Sequence, residues 1–422
     1  MKKEAETKNS ETPAPVGALS HIRVLDLSRV LAGPWAGQTL GDMGADVIKV
    51  EHPGTGDDTR LWGPPFLERV DGKRGDAAYF TSANRNKRSV GIDFSSPRGV
   101  SLVRALAARS DVIIENYKLG GLAKYGLDYE SLKKENPSLI YCSITGFGQD
   151  GPYAARPGYD YVIQGMSGLM SVTGHPDGAP GAGPLKAGIA VSDLFGGMYA
   201  LSAILCALVH RERTGEGQYI DCSLLESQVA ALANQGASFL VADEVPGRLG
   251  NSHPTVAPYR VYDVADGQVI IAAGNDGQFV RLCDALGEEN LKSDPEFATI
   301  ELRVNNRRLL DKALEKILKD WTRDDIIAKL VQAGVPCGPI NEIDDVFADP
   351  HIVHREIVHT LERNDGTRIR VAGYPVKLSA TPATYRQAPP ELGSDTDAVL
   401  RGELGLSEME VEDLKKAGVV GG

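Results

Sequence analysis

The sequence predicts an α/β protein built on a parallel β-sheet with helices on both faces. Short apolar runs typical of buried strands occur at 21–27 (HIRVLDL), 45–50 (ADVIKV), 112–115 (VIIE) and 139–144 (LIYCSI). Stretches of helical character separate them, and strands that alternate with helices favour parallel pairing. Because ligands in such folds bind beyond the carboxyl ends of the strands, we expect the site in the loops that follow these runs.

The remaining elements follow in order along the chain. A turn with glycine and proline (AGPWAG) follows the first strand, and a helix is predicted over 98–110. Residues 146–192 form a long loop of small residues, and long loops are often functional. The most apolar helix, from about Asp193 to Arg213, ends in TGEG, which is a glycine C-cap after basic residues. A strand (QYIDCSL) and a helix over 224–243 come next.

The length of 422 residues favours more than one domain. Residues 1–18 are polar and lack the apolar core of a signal peptide, so we expect a disordered tail. An Asp-Gly turn between two β-rich runs predicts a hairpin in a smaller domain. The predicted parts are a large Rossmann-like domain (19–225), a linker (226–258), a small α+β domain (259–345) and a return to the large domain (346–422).

Composition excludes several classes of function. The net charge of −12 argues against nucleic acid or an anionic membrane as the main partner. The longest apolar run, at 198–209, is too short to span a bilayer. Five scattered cysteines without a CxxC pair indicate reduced thiols, and no zinc spacing or HExxH is present. We therefore expect a cytoplasmic protein that binds no metal.

Asp193 is the first candidate for chemistry, because it lies between a β-like run (AGIAVS) and the apolar helix. Asp193 or Ser192 could simply cap this helix. The functional interpretation uses the same position, since the helix dipole favours an ionised carboxylate, and a carboxylate can attack an acyl group to form an anhydride. Gly196 and Gly197 interrupt the first turns at a cost of about 1 kcal/mol each. Another helix or a ligand should therefore approach closely there.

Other loops offer weaker signals. The first strand is not followed by GxGxxG, and GxxxxGK[ST] occurs nowhere, so dinucleotide and P-loop sites lack their specific pattern. The run NRNKR at 84–88 fits either a solvated charge run or phosphate binding. Asn116, Tyr117 and Lys118 follow the third strand, where ligands are expected. His253 in GNSHP could be a general base or a carboxylate donor, although a lone histidine in a loop is more often neither.

Eight segments occur in order along the chain: RVLDLSRVLAGPWAGQTLGDMGADVIKVEHPGTGDDTR, NRNKRSVGIDF, DVIIENYKLG, YCSITGFGQDGPY, GYDYVIQGMSGLMSVTG, GIAVSDLFGGMYA, HRERTGEGQYIDCSLLES and GVPCGPIN. As an ordered set they resemble the class III CoA-transferase family, which also contains the α-methylacyl-CoA racemases. The resemblance covers about residues 19–400. It implies a Rossmann-like large domain made from both chain ends, a smaller inserted domain, and an interlocked homodimer.

The resemblance also implies roles for individual residues. Asp193 matches the family's nucleophile. Coenzyme A enters as a substrate, and no cofactor is tightly bound. The family's CoA contacts match Val30, Leu31, Ala32, His52, Ile92, Asp93, Phe94, Ser95, Asn116, Tyr117, Lys118, Lys124, Arg156, Tyr159 and Asp160.

Departures from the family pattern narrow the activity. Formyl-CoA transferases carry a glutamine at the position of Leu31 and a glycine-rich loop in the region of 245–260, so oxalate and formate are disfavoured. Racemases carry a histidine at the position of Tyr159, which disfavours racemisation. WGPPF, NRNKRS, YCSITGFGQ and AGNDGQF resemble the branch of succinate–hydroxymethylglutarate (glutarate) CoA-transferases.

The expected reaction moves CoA from a donor such as succinyl-CoA to a dicarboxylic acid, through an aspartyl anhydride and an aspartyl–CoA thioester. An ordinary carboxylate is already ionised at pH 7, so no strong base is needed. Amides near Gly196 and Gly197 are candidate oxyanion donors. His253, Arg85 or Arg60 could bind the distal carboxylate of the acid. The alternatives are an acyl-CoA racemase, a nicotinamide-dependent oxidoreductase and a non-catalytic CoA-binding protein.

Overall fold

The structure is a computed structural model that describes residues 17–422. The predicted tail therefore lies almost wholly outside the described residues. The strands are β1 (Arg23–Asp26), β2 (Asp46–Glu51), β3 (Phe66–Glu68), β4 (Arg74–Ala77), β5 (Lys87–Ile92), β6 (Val112–Glu115), β7 (Ile140–Thr145), β8 (Gln218–Ser223), β9 (Tyr259–Val264), β10 (Gly267–Ala272), β11 (Cys337–Pro339), β12 (Val358–Glu362), β13 (Arg368–Ala372) and β14 (Val420–Gly421).

The helices are α1 (Ala32–Asp42), α2 (Ala78–Ser82), α3 (Pro97–Ala107), α4 (Tyr129–Leu132), α5 (Asp160–Met166), α6 (Leu169–Val172), α7 (Val191–Thr214), α8 (Leu224–Ala230), α9 (Ala233–Ala242), α10 (Asp276–Leu286), α11 (Glu289–Ser293), α12 (Ile300–Asn305), α13 (Arg307–Leu318), α14 (Arg323–Gln332), α15 (Ile343–Ala348), α16 (Pro350–His354), α17 (Thr396–Leu404) and α18 (Glu408–Lys416). Short 3-10 helices occur at Asp58–Leu61, Ala123–Tyr125 and Pro295–Phe297.

The largest sheet has seven strands in the order β14-β5-β2-β1-β6-β7-β8. Its neighbours from β5 to β8 pair in parallel, and only β14 at the edge runs antiparallel. The four strands predicted from apolar runs are the four consecutive strands β2, β1, β6 and β7. The predicted α/β class with a parallel sheet is therefore confirmed.

Helices cover both faces of this sheet. Alternate residues of each central strand point to opposite faces, and because consecutive residues of these strands are apolar, both faces need to be covered. Leu25 and Ile113 pack in an apolar cluster with residues of α3, α17 and α18. Val24 and Ile114 pack in a second cluster with residues of α1 and α7. The carboxyl ends of the strands are left for the loops that form the site.

The described chain divides into two compact units. The large unit comprises residues 17–167, Gly188–Ala233 and Arg355–Gly422, and the small unit comprises Gly168–Ala187 and Asn234–His354. Within the small unit, β9, β10 and β11 form an antiparallel sheet. Helices α10, α13 and α14 pack on that sheet around a core of their own. The Asp-Gly hairpin predicted from the sequence is the β9–β10 pair.

The unit boundaries differ from those predicted. Residues 168–187 belong to the small unit, because the backbone of this segment bonds to a later loop through Gly250 N and Gly174 O (2.9 Å). Residues 226–233, predicted as linker, belong to the large unit, where α8 packs against α7. The chain rejoins the large unit at Arg355, after α15 and α16.

The central apolar helix α7 begins two residues before the predicted start and ends at Thr214. Gly215 follows it with φ of +78°, the left-handed C-cap expected from TGEG. Within the described residues it is the one helix long and apolar enough, by length and composition, to cross a membrane. Its inner face, which includes Leu201 and Ile204, is buried in the core of the large unit. The predicted helix over 224–243 is two helices, broken at Ala233, whose φ is +47°.

Candidate active site

A cavity of about 200 Å³ opens at the carboxyl ends of β1, β6 and β7 in the large unit. Three strand-end loops and the start of α7 form its walls, as expected for a parallel sheet. We call it the first cavity. Its principal lining residues are Arg29, Val30, Leu31, Ala32, Asn116, Tyr117, Lys118, Gly146, Arg156, Tyr159 and Asp193.

Asp193 is the third residue of α7, and only 8% of it is exposed. The residue at the N-cap, Ala190, has no side-chain acceptor for the free amides of the first turn. A carboxylate from another helix takes that place, because Asp160 accepts hydrogen bonds from the backbone N–H of Ser192 (2.8 Å) and of Asp193 (3.4 Å). The helix start is therefore capped from outside.

Burial raises the pKa of Asp193 to about 7, and the nearby negative charge of Asp160 adds to the effect. Loss of solvation therefore acts against the ionised form that the position at a helix start favours. The ionised form of such a carboxyl is more basic than an ordinary carboxylate. It is correspondingly a better nucleophile once deprotonated.

The loop after β1 is held in a strained conformation beside Asp193. Val30 has φ of +71°, which is unfavourable for a β-branched residue. Its N–H donates to the carboxylate of Asp57 (3.2 Å), and Asp57 forms an ion pair with Lys49 (3.0 Å) in which both side chains are fully buried. Asn116 accepts from Arg29 N and donates to Arg29 O. The side chain of Asn116 thus anchors this loop.

A second cavity of about 270 Å³ lies next to the first in the large unit. Phe94 forms its aromatic wall with Tyr117 and Tyr125, each in an edge-to-face contact at 5.9 Å between ring centroids. Arg29, Asp58 and Tyr117 line both cavities. The other principal lining residues of the second cavity are His52, Ile92, Asp93, Phe94, Ser95 and Tyr125.

The predicted CoA contacts fall into these two cavities, with two exceptions. Asp160 lines neither cavity, because its carboxylate caps α7. Lys124 also lies outside both, with its ammonium group 4.4 Å from the ring centroid of Tyr125. Arg29, which is not among the predicted contacts, lines both cavities; its sequence signal is a basic residue in the loop that follows β1.

Two residues suggested for the distal carboxylate are not at the site. Arg85 is buried and paired with Asp42 through two hydrogen bonds. Arg60 is buried and paired with Glu51 and Asp76. Because both guanidinium groups are paired with these carboxylates, the prediction that Arg60 or Arg85 binds the distal carboxylate of the acid is wrong.

The run at 84–88 is mostly interior. Asn84, Arg85, Asn86 and Lys87 are all buried, which contradicts both the solvated and the phosphate-binding interpretations. Lys87 donates to the carboxylate of Asp26 (2.8 Å) with both side chains fully buried. Burial lowers the pKa of Lys87 to about 8.

His253 belongs to the small unit. Its Nδ1 accepts from the N–H of Thr255 (3.2 Å), and its ring packs against Tyr259 at 5.0 Å between centroids. A role of His253 towards the acid stays a prediction.

Gly196 and Gly197 allow two helices to approach α7. A Cβ on Gly197 would lie 2.6 Å from the carbonyl oxygen of Ala32 in α1, and one on Gly196 would lie 2.3 Å from Leu224 in α8. The expected close approach is confirmed. The amides of both glycines lie past the four free N–H groups of the helix start, so an oxyanion role does not fit their position.

The family model described as CoA-transferase family III matches residues 19–396. The chain belongs to CoA-transferase family III. This CoA-transferase is 52% identical over 382 residues to the succinate–glutarate CoA-transferase of Agrobacterium fabrum, a match that covers 90% of this chain and 94% of the relative. It is 42% identical over 406 residues to the succinyl-CoA:glutarate CoA-transferase of Mus musculus, a match that covers 95% of this chain and 90% of the relative.

The fold of the CoA-transferase is also found among solved structures. A crystal structure of a CAIB/BAIF family protein from Brucella suis superposes with a TM-score of 0.81 at 49% sequence identity. The match covers 92% of this chain and all of that one. Enzymes of this family use CoA thioesters as substrates, which agrees with a buried carboxyl group, Asp193, in the lining of the first cavity.

Proposed function

We propose that this CoA-transferase moves CoA from succinyl-CoA to a dicarboxylic acid, with glutarate the first acceptor to test. The observation that carries the proposal is Asp193, a buried carboxyl of raised pKa that lines the first cavity. The relatives named above act on succinate and glutarate, which supports this pair of acids. CoA enters as a substrate, and we propose no tightly bound cofactor.

The reaction begins when ionised Asp193 attacks the thioester carbon of succinyl-CoA. The C–S bond breaks, which leaves a succinyl–aspartyl anhydride and the CoA thiolate. The thiolate then attacks the aspartyl carbonyl, so succinate leaves and an aspartyl–CoA thioester remains. The acceptor carboxylate attacks this thioester to form a second anhydride and free the thiolate. Attack of the thiolate on the acceptor carbonyl releases the new CoA ester and restores Asp193.

The raised pKa of Asp193 suits the first step. A basic carboxylate attacks faster than a weakly basic one, whereas its protonated form does not attack. Because the pKa is about 7, a substantial fraction is ionised at neutral pH. Activity should therefore rise with pH through this region.

We assign the two cavities to the two ends of the coenzyme. The thioester and its pantetheine arm occupy the first cavity beside Asp193, and the adenine occupies the second beside Phe94 and Tyr125. Arg29 lies at the junction, where the diphosphate would pass, and an arginine there matches the charge and geometry of phosphate. The other contacts implied by the family resemblance remain part of this proposal.

The distal carboxylate of the acid needs a cation or a donor near Asp193. Lys118 and Arg156 line the first cavity and are exposed to it. Arg156 lies over the ring of Tyr153 at 3.9 Å, which restricts its guanidinium group. We propose these two in place of Arg60 and Arg85.

We also propose a homodimer, as the family resemblance implies, located in the cytoplasm. The outer face of α7 carries exposed large apolar residues, including Met198, Tyr199, Leu205 and Val209, and such a face favours burial in an interface. Light scattering after size-exclusion chromatography should give twice the chain mass of 45.1 kDa. A monomeric mass contradicts the proposal, and Leu205→Glu should weaken the dimer.

The deciding experiment compares Asp193→Asn with the parent enzyme in a succinyl-CoA/glutarate assay. Loss of the nucleophile should reduce kcat by about 10³-fold or more. Asp397→Asn, which changes an exposed carboxylate paired with Lys415, is the matched control and should stay active. Near-parental transfer by Asp193→Asn refutes the assignment.

A trapping experiment tests the intermediates. Incubation with succinyl-CoA and hydroxylamine should convert Asp193 to a hydroxamate, which mass spectrometry detects on its peptide. A parallel panel with hydroxymethylglutarate, itaconate, citramalate and mesaconate ranks the acceptors. Deuterium exchange at the α-carbon of a 2-methylacyl-CoA would instead indicate racemisation.

A further inference from the structure

Asp160 links two helices at the nucleophile. It is the first residue of α5, and one oxygen of its carboxylate accepts from the N–H groups of Ser192 and Asp193. The other oxygen accepts from the side-chain amide of Gln164 (2.7 Å). Both oxygens are therefore used inside the large unit, and Asp160 lines neither cavity.

The start of α7 depends on this outside carboxylate. A helix start leaves its first amides without partners, and a side chain at the N-cap usually accepts from them. Ala190 offers no such group. The hydroxyl of Ser192, which lies inside the first turn, instead donates to the side-chain oxygen of Gln228 (2.9 Å). Asp160 thus supplies the acceptor that the local sequence lacks.

We propose that Asp160 is a positioning residue for the nucleophile: it fixes the first turn of α7 and holds a negative charge beside the Asp193 carboxylate, and it does not bind CoA. This inference rests on the proposed role of Asp193 as the nucleophile. The charge makes the ionised nucleophile more basic. The cap keeps the Asp193 carboxylate in one orientation through the successive attacks.

Electrostatics agree with this geometry. Among the causes of the raised pKa of Asp193, the charge of Asp160 stands second after burial. Burial, together with the charges of Asp193, Asp160 and Asp57, raises the pKa of Tyr79 in α2 to about 12. The other charged or titratable groups around the first cavity are Arg29, Asp58, Tyr117, Lys118, Arg156 and Tyr159.

Asp160→Asn separates the charge from the cap, because the amide oxygen can still accept from the α7 backbone. The acid limb of kcat/KM for succinyl-CoA should move to lower pH by about one unit, since a like charge has been removed. KM for succinyl-CoA should stay within about twofold, because no contact with CoA is lost. If Asp160 were a CoA contact, KM would rise about tenfold and the acid limb would not move. That result overturns the proposal.

Two further variants test the cap. Asp160→Ala should lower the melting temperature and kcat, and adding Ala190→Ser should restore the melting temperature through a local cap while the acid limb stays at lower pH. Ser407→Ala removes a cap from α18, whose Ser407 hydroxyl accepts from Glu410 N, and serves as the control. It should lower the melting temperature without moving the acid limb.

A readout independent of transfer separates this inference from the proposed function. The free energy of unfolding of Asp193→Asn relative to its parent should depend on pH, with a midpoint set by the pKa of Asp193. In the Asp160→Asn background this midpoint should also move to lower pH. A midpoint that stays in place overturns the inference, whatever reaction the enzyme catalyses.

Discussion

Replacing Asp193 by asparagine should stabilise the protein at high pH while it abolishes activity. In the folded protein the carboxyl keeps its proton to about pH 7, whereas its ordinary pKa is 3.8. Between these values the folded state binds more protons than the unfolded state, so the stability of the parent falls as pH rises. Asparagine does not titrate, and the variant escapes this loss.

The size of the effect follows from the pKa of Asp193. A pKa raised by about 3 corresponds to about 4 kcal/mol, at about 1.4 kcal/mol for each pKa unit. This is an upper limit, because structural relaxation and water entry lower the penalty of burying a charge. The stability advantage of Asp193→Asn should be small near pH 4, should grow through pH 5–7, and should level off near pH 8.

Urea unfolding followed by circular dichroism measures this difference. Parent and variant are compared at one protein concentration and at several pH values, and the free energies come from linear extrapolation. Asp397→Asn, an exposed carboxylate on α17, is the matched control, and its difference from the parent should stay constant over pH 5.5–8. A pH-independent difference for Asp193→Asn, or an advantage that shrinks as pH rises, refutes the reasoning.

Three other substitutions test the frame around the site. In Val30→Gly, glycine adopts the positive φ without the steric cost of about 1–2 kcal/mol, so the free energy of unfolding should not fall. KM for succinyl-CoA should rise, because the loop becomes less rigid. An unchanged KM contradicts this. Gly197→Ala forces a methyl group against the carbonyl of Ala32 and should cost about 1–3 kcal/mol in urea unfolding, and a neutral effect would show that α1 can move away. Lys87→Met leaves the buried carboxylate of Asp26 without its ion-pair partner and should lower the free energy of unfolding by about 3–5 kcal/mol. Adding Asp26→Leu should restore most of this loss. A double variant that stays as unstable as Lys87→Met refutes an ion-pair origin.

The strands of the central sheet could be predicted because their signal is local. A run such as VIIE is apolar at every position, and this is what a strand covered on both faces requires. The start and end of α7 were also predictable to within two residues, since TGEG supplies a glycine C-cap. The break between α8 and α9 was not, because Ala233 adopts a left-handed conformation that its residue type does not announce.

The candidate site also has some features that the sequence predicts and others that only the structure shows. The position of Asp193 at a helix start is a local property, and the ordered segments of the chain place it in its family. The sequence alone also indicated that something must approach Gly196 and Gly197, because glycine is costly inside a helix. Only the structure shows that the approaching groups are the backbone of α1 and the side chain of Leu224.

The sequence by itself determined the α/β class, the order of the central elements and the candidate nucleophile, since residue periodicity and helix ends depend on neighbours along the chain. Only the tertiary structure decided which charges are interior and what acts on the nucleophile. Lys87 and Asp26 form an ion pair although they are 61 residues apart in the sequence. Asp160 and Ser192, whose N–H it caps at the start of α7, are 32 residues apart. Such pairs leave no local pattern, because the low polarity that makes them matter exists only once the chain has folded around them.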